Sequence, residues 1–378
     1  MSQHVISGLG SISRLMKILE EEHAKNILVV TGKKSFFKSG SAEALKPIFD
    51  KFNVLQFSDF EINPKIEDAI KGTKIARTNN IDTIISIGGG SVIDIAKLIL
   101  ALFAYDQDFK KIINGIEKPK YSEINHISIP TTAGTGSEST QFAVVYHNKI
   151  KYSVSADFLI PKKVILDGEL CLSNSPSQKA FNGLDALAQA IESHWACGST
   201  KESKFFSRKA IPILFKELPK IVSGKAKKNE FQDFFEASNM AGRAINISKT
   251  TSPHAFSYAF TSKYCIPHGQ AVWLTLPKIF EIHKNALSLE KEKIVNYDHL
   301  QTSVSEIIDL LGISQNDIAN NLKKFVCELG LEPSMEKLGI STREKKQEIA
   351  KNVNVERLKN NPVLFLSLIH ISEPTRPY

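Results

Sequence analysis

The sequence predicts an α/β domain built on a parallel sheet, followed by an all-α domain. Three observations carry this. Short β-branched runs alternate with amphipathic helical stretches over about the first 170 residues. The strand signals stop after about Asp167, and from Ser177 to Leu358 nearly every segment has helical spacing.

The strand signals, in order, are Ile27–Thr31 (ILVVT), Val54–Phe57, Thr83–Ile87 (TIISI), Ile127–Ile129 and Val164–Leu166. Such short, continuously apolar runs suit strands buried on both faces, as in a parallel sheet covered by helices. Ile66–Arg77 and Val92–Phe103 supply amphipathic helices between them. In the second half, Pro212, Pro219, Pro253, Pro267, Pro277 and Pro333 are expected to divide the helices. The expected domains are 1–168 and 169–365, and no internal repeat is visible. The closing string LSLIHISEPTRPY, Leu366–Tyr378, does not fit. Pro374 and Pro377 exclude a closing helix, and the string matches a sequencing adapter read through as protein, so 366–378 is expected to be a non-native tail.

The chain has 378 residues, with 42% hydrophobic and 23% charged side chains, 20 Gly and 15 Pro. That composition excludes disordered, collagen-like and low-complexity classes. The longest apolar stretch, Leu98–Ala104 with Ile95 and Ala96 before it, is too short to span a bilayer. The opening MSQHVISGLGSI lacks a signal-peptide pattern, and the four cysteines have no CxxC spacing, so a cytoplasmic protein with reduced thiols and no membrane partner is expected. The net charge of +8 is spread among acidic residues, as in Lys291–Lys293 around Glu292. No basic stripe with interleaved aromatics is present, so nucleic acid is not expected as a partner, and an anionic small molecule is the better use for some of these cations.

Two loops carry the nucleotide signal. Gly88, Gly89, Gly90 and Ser91 stand between a strand and a helix, where glycines let backbone N–H groups approach a pyrophosphate at the positive helix end. The run is neither GxGxxG nor GxxxxGK[ST], and alone it suits a tight turn as well as a ligand loop. The second loop, Pro130–Glu138, concentrates the hydroxyls of Thr131, Thr132, Thr135 and Ser137 with two glycines, a poor way to build a core and a good way to hydrogen-bond a nucleotide. Both follow the carboxyl ends of strands, where open parallel sheets bind ligands. Further on, His254 and His268 each follow a proline, and Asp185 opens a helical stretch running through Glu192 and His194.

With these residues in place the chain resembles the iron-containing (group III) alcohol dehydrogenases. GGGSxxDxxK (Gly88–Lys97), PTTAGTGSE (Pro130–Glu138), GLDALxxAIES (Gly183–Ser193) and PHGxAxxxxLP (Pro267–Pro277) occur in that family's order. The resemblance implies an N-terminal dinucleotide-binding domain, a helical C-terminal domain of the dehydroquinate synthase-like kind, and a metal in the cleft between them. It implies Asp185, His254 and His268 as metal ligands and catalytic residues. Gln189 takes the place where many relatives carry a fourth ligand, histidine, and is expected as a weak ligand or a donor behind the others. The metal is expected to be Fe(II) or Zn(II).

The resemblance also places Asp94 and Lys151 with the cofactor-binding residues, and Tyr258 where relatives have another histidine, its hydroxyl a candidate proton relay. Gly32 stands where NAD-preferring relatives place an acid. With Lys33, Lys34 and Ser35 beside it, NAD(P)H with NADPH favoured is expected. Family members usually self-associate, so a homodimer or higher homo-oligomer is expected.

Within the family, Ala241–Gly269 and Ala190–Ser203 look most like the phosphonoacetaldehyde reductase, or hydroxyethylphosphonate dehydrogenase, branch. Arg243 and Lys249, shortly before His254, are the candidate clamp for a phosphonate; a helix-end salt bridge for each is the competing use. The expected reaction converts an aldehyde to a primary alcohol. The rival readings are a general short-chain alcohol dehydrogenase, a metal-free inactive nucleotide-binding protein, and a lyase or synthase of the dehydroquinate synthase type.

Overall fold

The structure is a computed structural model that describes residues 3–105, 109–148, 150–353 and 355–364. The tail assigned above to 366–378 lies outside the described residues. Chain contacts divide the molecule into two units: residues up to Asn174 together with Lys227–Asn239, and Ser175–Ala226 together with the chain from Met240 on.

The first unit holds β1 (His4–Ser7), β2 (Asn26–Thr31), β3 (Asn53–Phe57), β4 (Thr83–Gly88), β5 (Asn125–Pro130), β6 (Phe142–His147), β7 (Ile150–Ser155) and β8 (Lys163–Leu166). Six of them form a sheet in the order β1-β8-β5-β4-β2-β3, every neighbouring pair parallel, and β6 and β7 form an antiparallel hairpin. Ile27 and Val29 of β2 face a core made with α1 (Leu15–Glu21), α2 (Ser35–Lys38) and α3 (Ser41–Lys51). Leu28 and Val30 face the opposite core, made with α4 (Ile66–Thr78), α5 (Gly90–Phe103), α6 (Lys110–Ile113) and the hairpin. Burial on both sides is why the strand reads as an unbroken apolar run.

The five strands expected from sequence are all present. β1 and the hairpin were not anticipated, because β1 is four residues long and β6–β7 are only partly buried.

The second unit is helical: α7 (Pro176–Trp195), α8 (Lys201–Val222), α9 (Lys228–Ser248, whose first half counts with the first unit), α10 (Ser252–Tyr264), α11 (His268–Trp273), α12 (Leu276–Leu289), α13 (Tyr297–Leu311), α14 (Ile318–Glu328), α15 (Arg343–Lys351) and α16 (Val355–Leu358). Pro253 and Pro277 sit in the first turns of α10 and α12, and Pro267 precedes α11, positions where a missing N–H costs nothing. Pro212 and Pro219 do not divide helices as expected; both lie inside α8. A proline removes one bond and strains one turn. The buried stripe of Ala210, Ile211, Leu214 and Leu218 holds α8 together across both. No helix among the described residues is long and apolar enough to cross a membrane.

Candidate metal centre and nucleotide loops

In the first unit, the register pairs Ile87 with Ile129 and Gly88 with Pro130, so the loops after β4 and β5 leave the sheet side by side. A Cβ on Gly90 would come within 2.9 Å of the Thr135 side chain, so any larger residue there would have to displace that side chain where the two loops meet. Thr131 N–H donates to the Gly88 carbonyl at 2.9 Å. Gly89, Gly90, Ser91, Thr132 and Thr135 are half-buried and present backbone and hydroxyl groups at the start of α5.

Asp94, Thr131 and Ser137 are buried and brace this arrangement from behind. Asp94 accepts from Ser137 Oγ at 2.6 Å and from Val144 N–H at 3.2 Å. One helical turn on, Lys97 is wholly buried, its ammonium donating to the carbonyls of Ser137 (2.5 Å), Thr140 (2.6 Å) and Phe142 (2.8 Å). Burial pushes its pKa down to about 8, against the pull of Asp94, so it stays an ammonium at neutral pH. Glu138 and Ser139 bind the Asn239 amide at 3.0 and 2.6 Å.

Gly32 lies half-buried at the end of β2, and Lys151 half-buried in β7. Lys33 forms an ion pair at 3.2 Å with Asp59, which follows β3 and also faces Lys71 at 3.6 Å.

The second unit brings together the candidate metal ligands. Ser175 and Gln178 close a reciprocal cap on α7, with Pro176 in its first turn, and the helix carries Asp185, Gln189 and Glu192 on one face at spacings of four and three. All three are buried. His254 lies in the first turn of α10, and His268 starts α11. Gly269 lets α11 reach α7: a Cβ there would sit 1.9 Å from the Phe181 carbonyl oxygen and 3.0 Å from the Asp185 nitrogen.

Asp185 Oδ1 is 3.2 Å from His254 Nε2 and 4.0 Å from His268 Nε2. Glu192 accepts from His254 Nδ1, and its other oxygen accepts Thr251 N–H (2.6 Å) and Thr251 Oγ (2.9 Å). Ser257 Oγ lies 3.4 Å from His268 Nδ1. Both rings are therefore held through Nδ1, which turns each Nε2 toward Asp185. Gln189 hydrogen-bonds Asp185 and so stands behind that carboxylate as a donor.

Burial works against a charged His254, but the Glu192 carboxylate and the bond to Asp185 outweigh it and raise the ring's pKa to about 9. Two buried carboxylates thus demand positive charge at this point. One ligand atom each from Asp185, His254 and His268 lies within 4.8 Å of the others. Donors around a tetrahedral ion stand about 3.4 Å apart, so this oxygen and two imidazole nitrogens fit a zinc or ferrous ion in both spacing and chemistry.

Tyr258 stacks on His268, ring centres 6.0 Å apart and planes within 9°. The two expected clamp residues lie on and just past α9. The Arg243 guanidinium lies 5.6 Å above the Phe206 ring, and Lys249 is exposed at a left-handed backbone position (φ 62°) just past α9.

Glu192 went unassigned in the sequence reading, although its position seven residues after Asp185 on one helix face was a usable signal. Lys97 likewise stood inside a motif without a role.

The family model described as iron-containing alcohol dehydrogenase matches residues 2–168, and the model described as Fe-containing alcohol dehydrogenase family, C-terminal, matches 179–366. The chain is 27% identical over 337 residues to long-chain-alcohol dehydrogenase 1 of Geobacillus thermodenitrificans, covering 88% of this chain and 84% of that one. It is 25% identical over 359 residues to the NADPH-dependent butanol dehydrogenase of Clostridium saccharobutylicum, covering 92% and 88%. Among solved structures it is similar to the sulfoacetaldehyde reductase of Bifidobacterium kashiwanohense in complex with NAD+, with a TM-score of 0.87, 27% identity and coverage of 98% and 95%. With both family models together spanning nearly the whole sequence, the chain belongs to the iron-containing alcohol dehydrogenase family.

Proposed function

We propose that the protein interconverts an aldehyde and a primary alcohol using NAD(P)H and a divalent metal, and that its substrate is a short aldehyde with an anionic head, phosphonoacetaldehyde giving 2-hydroxyethylphosphonate. The observation that carries the chemistry is the Asp185–His254–His268 cluster with Glu192 locked behind it. Asp185, His254 and His268 would hold the metal, which supplies Lewis acidity toward the carbonyl oxygen. The nicotinamide supplies the hydride. Glu192 and Ser257 orient the two imidazoles, and Gln189 orients the aspartate. Tyr258 Oη accepts a hydrogen bond from Arg357 at 2.8 Å, which leaves its own proton to donate toward the product oxygen.

Gly88–Ser91, Thr132 and Thr135 contact the nucleotide, with Asp94, Thr131 and Ser137 shaping the loops and Lys151 as a further contact. Gly32 offers no carboxylate to a ribose 2′-hydroxyl, which favours NADPH. The anionic head is supported by the likeness to a sulfoacetaldehyde reductase, since sulfonate and phosphonate are both tetrahedral oxyanions. Arg243 and Lys249 are the cations that the sequence offers it.

The test is NAD(P)H oxidation with phosphonoacetaldehyde, propanal and glycolaldehyde, each with Fe(II), Zn(II) or EDTA. We expect turnover of phosphonoacetaldehyde well above the neutral aldehydes, abolished by EDTA. Equal rates on all three would leave a general alcohol dehydrogenase, as the named alcohol dehydrogenases among its relatives suggest.

A further inference from the structure

The metal-ligating cluster is closed on one side and open on the other. The side chains of Asp185 and His254 are 7% and 6% exposed, whereas His268 is 34% exposed. A substrate therefore meets the cluster on the His268 side, and that side is walled by Tyr258, stacked on the imidazole. Against Tyr258 lies Arg357, in the short helix α16. Its guanidinium carbon is 5.0 Å from the ring centre, and its Nη1 donates to Tyr258 Oη at 2.8 Å.

Arg357 is half-buried, and among the described residues no carboxylate pairs with it. Tyr258 takes one of the five N–H donors of the guanidinium and leaves the rest. A planar, permanently charged donor fork next to the open side of a metal centre suits a tetrahedral oxyanion, which it can grip with two parallel bonds. Three other cations of the second unit have other surroundings: Arg243 lies over the Phe206 ring, Lys249 is exposed, and Arg208 is paired with Glu306 at 2.9 Å.

We infer that Arg357 is the specificity residue of the site, binding the phosphonate or sulfonate head of a short aldehyde whose carbonyl end lies at the His268 side of the cluster. This rests on reading the cluster as an aldehyde-reducing metal centre. Arg357 itself transfers neither hydride nor proton; beyond its bond to Tyr258 Oη, it selects the substrate and holds its far end.

The experiment is steady-state kinetics of the metal-loaded full chain with phosphonoacetaldehyde, sulfoacetaldehyde and propanal, for wild type, Arg357→Gln, Arg357→Lys and Arg243→Ala. Gln keeps a donor for Tyr258 Oη and loses the charge. The expected result is a fall of about tenfold or more in the ratio of kcat/KM for the anionic aldehyde to that for propanal in Arg357→Gln, expressed mainly in KM. Partial recovery is expected in Arg357→Lys and a ratio near wild type in Arg243→Ala. The affinity for 2-hydroxyethylphosphonate, measured by calorimetry without turnover, should fall in step.

The anionic aldehyde with the higher wild-type kcat/KM identifies the head group. A ratio in Arg357→Gln within twofold of wild type overturns the assignment, as does an equal loss on charged and neutral aldehydes. A fall confined to Arg243→Ala returns the head group to that residue. A wild type indifferent to substrate charge overturns the anionic-substrate reading itself, which is a separate failure.

Discussion

Each unit buries charge deeply, and the two do it for different ends. In the first, Lys97 is enclosed by three carbonyls that satisfy every N–H of the ammonium, with Asp94 one turn away taking Ser137 and Val144. Nothing is left over to bind a ligand. The cation fastens the loop that follows β5 to α5, and so sets the shape of the surface that Thr132 and Thr135 offer. In the second, Asp185 and Glu192 flank one imidazole and Asp185 also faces a second, so negative charge exceeds what a single proton on His254 neutralises. A closed set of hydrogen bonds marks a brace; a buried set short of positive charge marks a site.

The sharpest way to break this comparison is to remove one residue from each. Lys97→Met leaves three buried carbonyls without their donor and should lower unfolding stability by about 3–5 kcal/mol, with metal content of the folded fraction unchanged. Asp185→Ala should do the reverse: metal per chain, measured by elemental analysis, falls to background and turnover with it, while the melting temperature of the metal-free protein holds or rises. If Lys97→Met loses metal while stability is intact, the two clusters are not independent and the contrast fails.

Glu192→Gln probes the site more finely. The amide preserves the volume and one acceptor but withdraws the charge that fixes the His254 ring from behind. Loss of such a supporting carboxylate typically weakens metal binding about 10–100-fold. Competition against a chelator of known affinity would show this without relying on activity. Affinity within twofold of wild type would mean that the Glu192 charge is not needed to hold the ring.

These contrasts also show what was readable in the chain. Buried strands announce themselves because both faces are apolar, so β2, β4 and β5 were plain, and with them the two loops that their carboxyl ends carry. The hairpin β6–β7 was not, because FAVVYH and IKYSVS are half polar and gain their partner only across the turn. Pro212 and Pro219 misled because local rules ignore the packing that holds α8. At the site, Asp185 and Gln189 were legible through the family resemblance, and Glu192, on the same helix face, was missed although its spacing pointed to it. Arg357 was not legible: it lies far along the chain from His268, and only the fold brings it to Tyr258. A motif marks what one segment presents, whereas substrate selection depends on contacts between segments.

A third kind of buried group, uncharged but titratable, sharpens the comparison further, with one example in each unit. His126 in β5 bonds Ser86 Oγ at 2.9 Å, and His283 in α12 bonds the Asn361 amide at 3.1 Å; both rings are almost fully buried and neither Nδ1 has a hydrogen-bond partner among the described residues. Burial pushes each pKa down to about 3. An unfolded chain protonates these rings near 6.5, so below that pH the unfolded state binds protons that the folded state refuses. Their contribution is complete above pH 6.5 and is lost as pH falls toward 3, at up to about 1.4 kcal/mol per pH unit for each ring. Urea unfolding at pH 7, 6 and 5 should show His126→Gln and His283→Gln each with a shallower acid decline than wild type, and the double variant shallower still. Parallel declines in all four proteins would mean that these imidazoles accept a proton without unfolding, and that the interior around them is wetter than their burial implies.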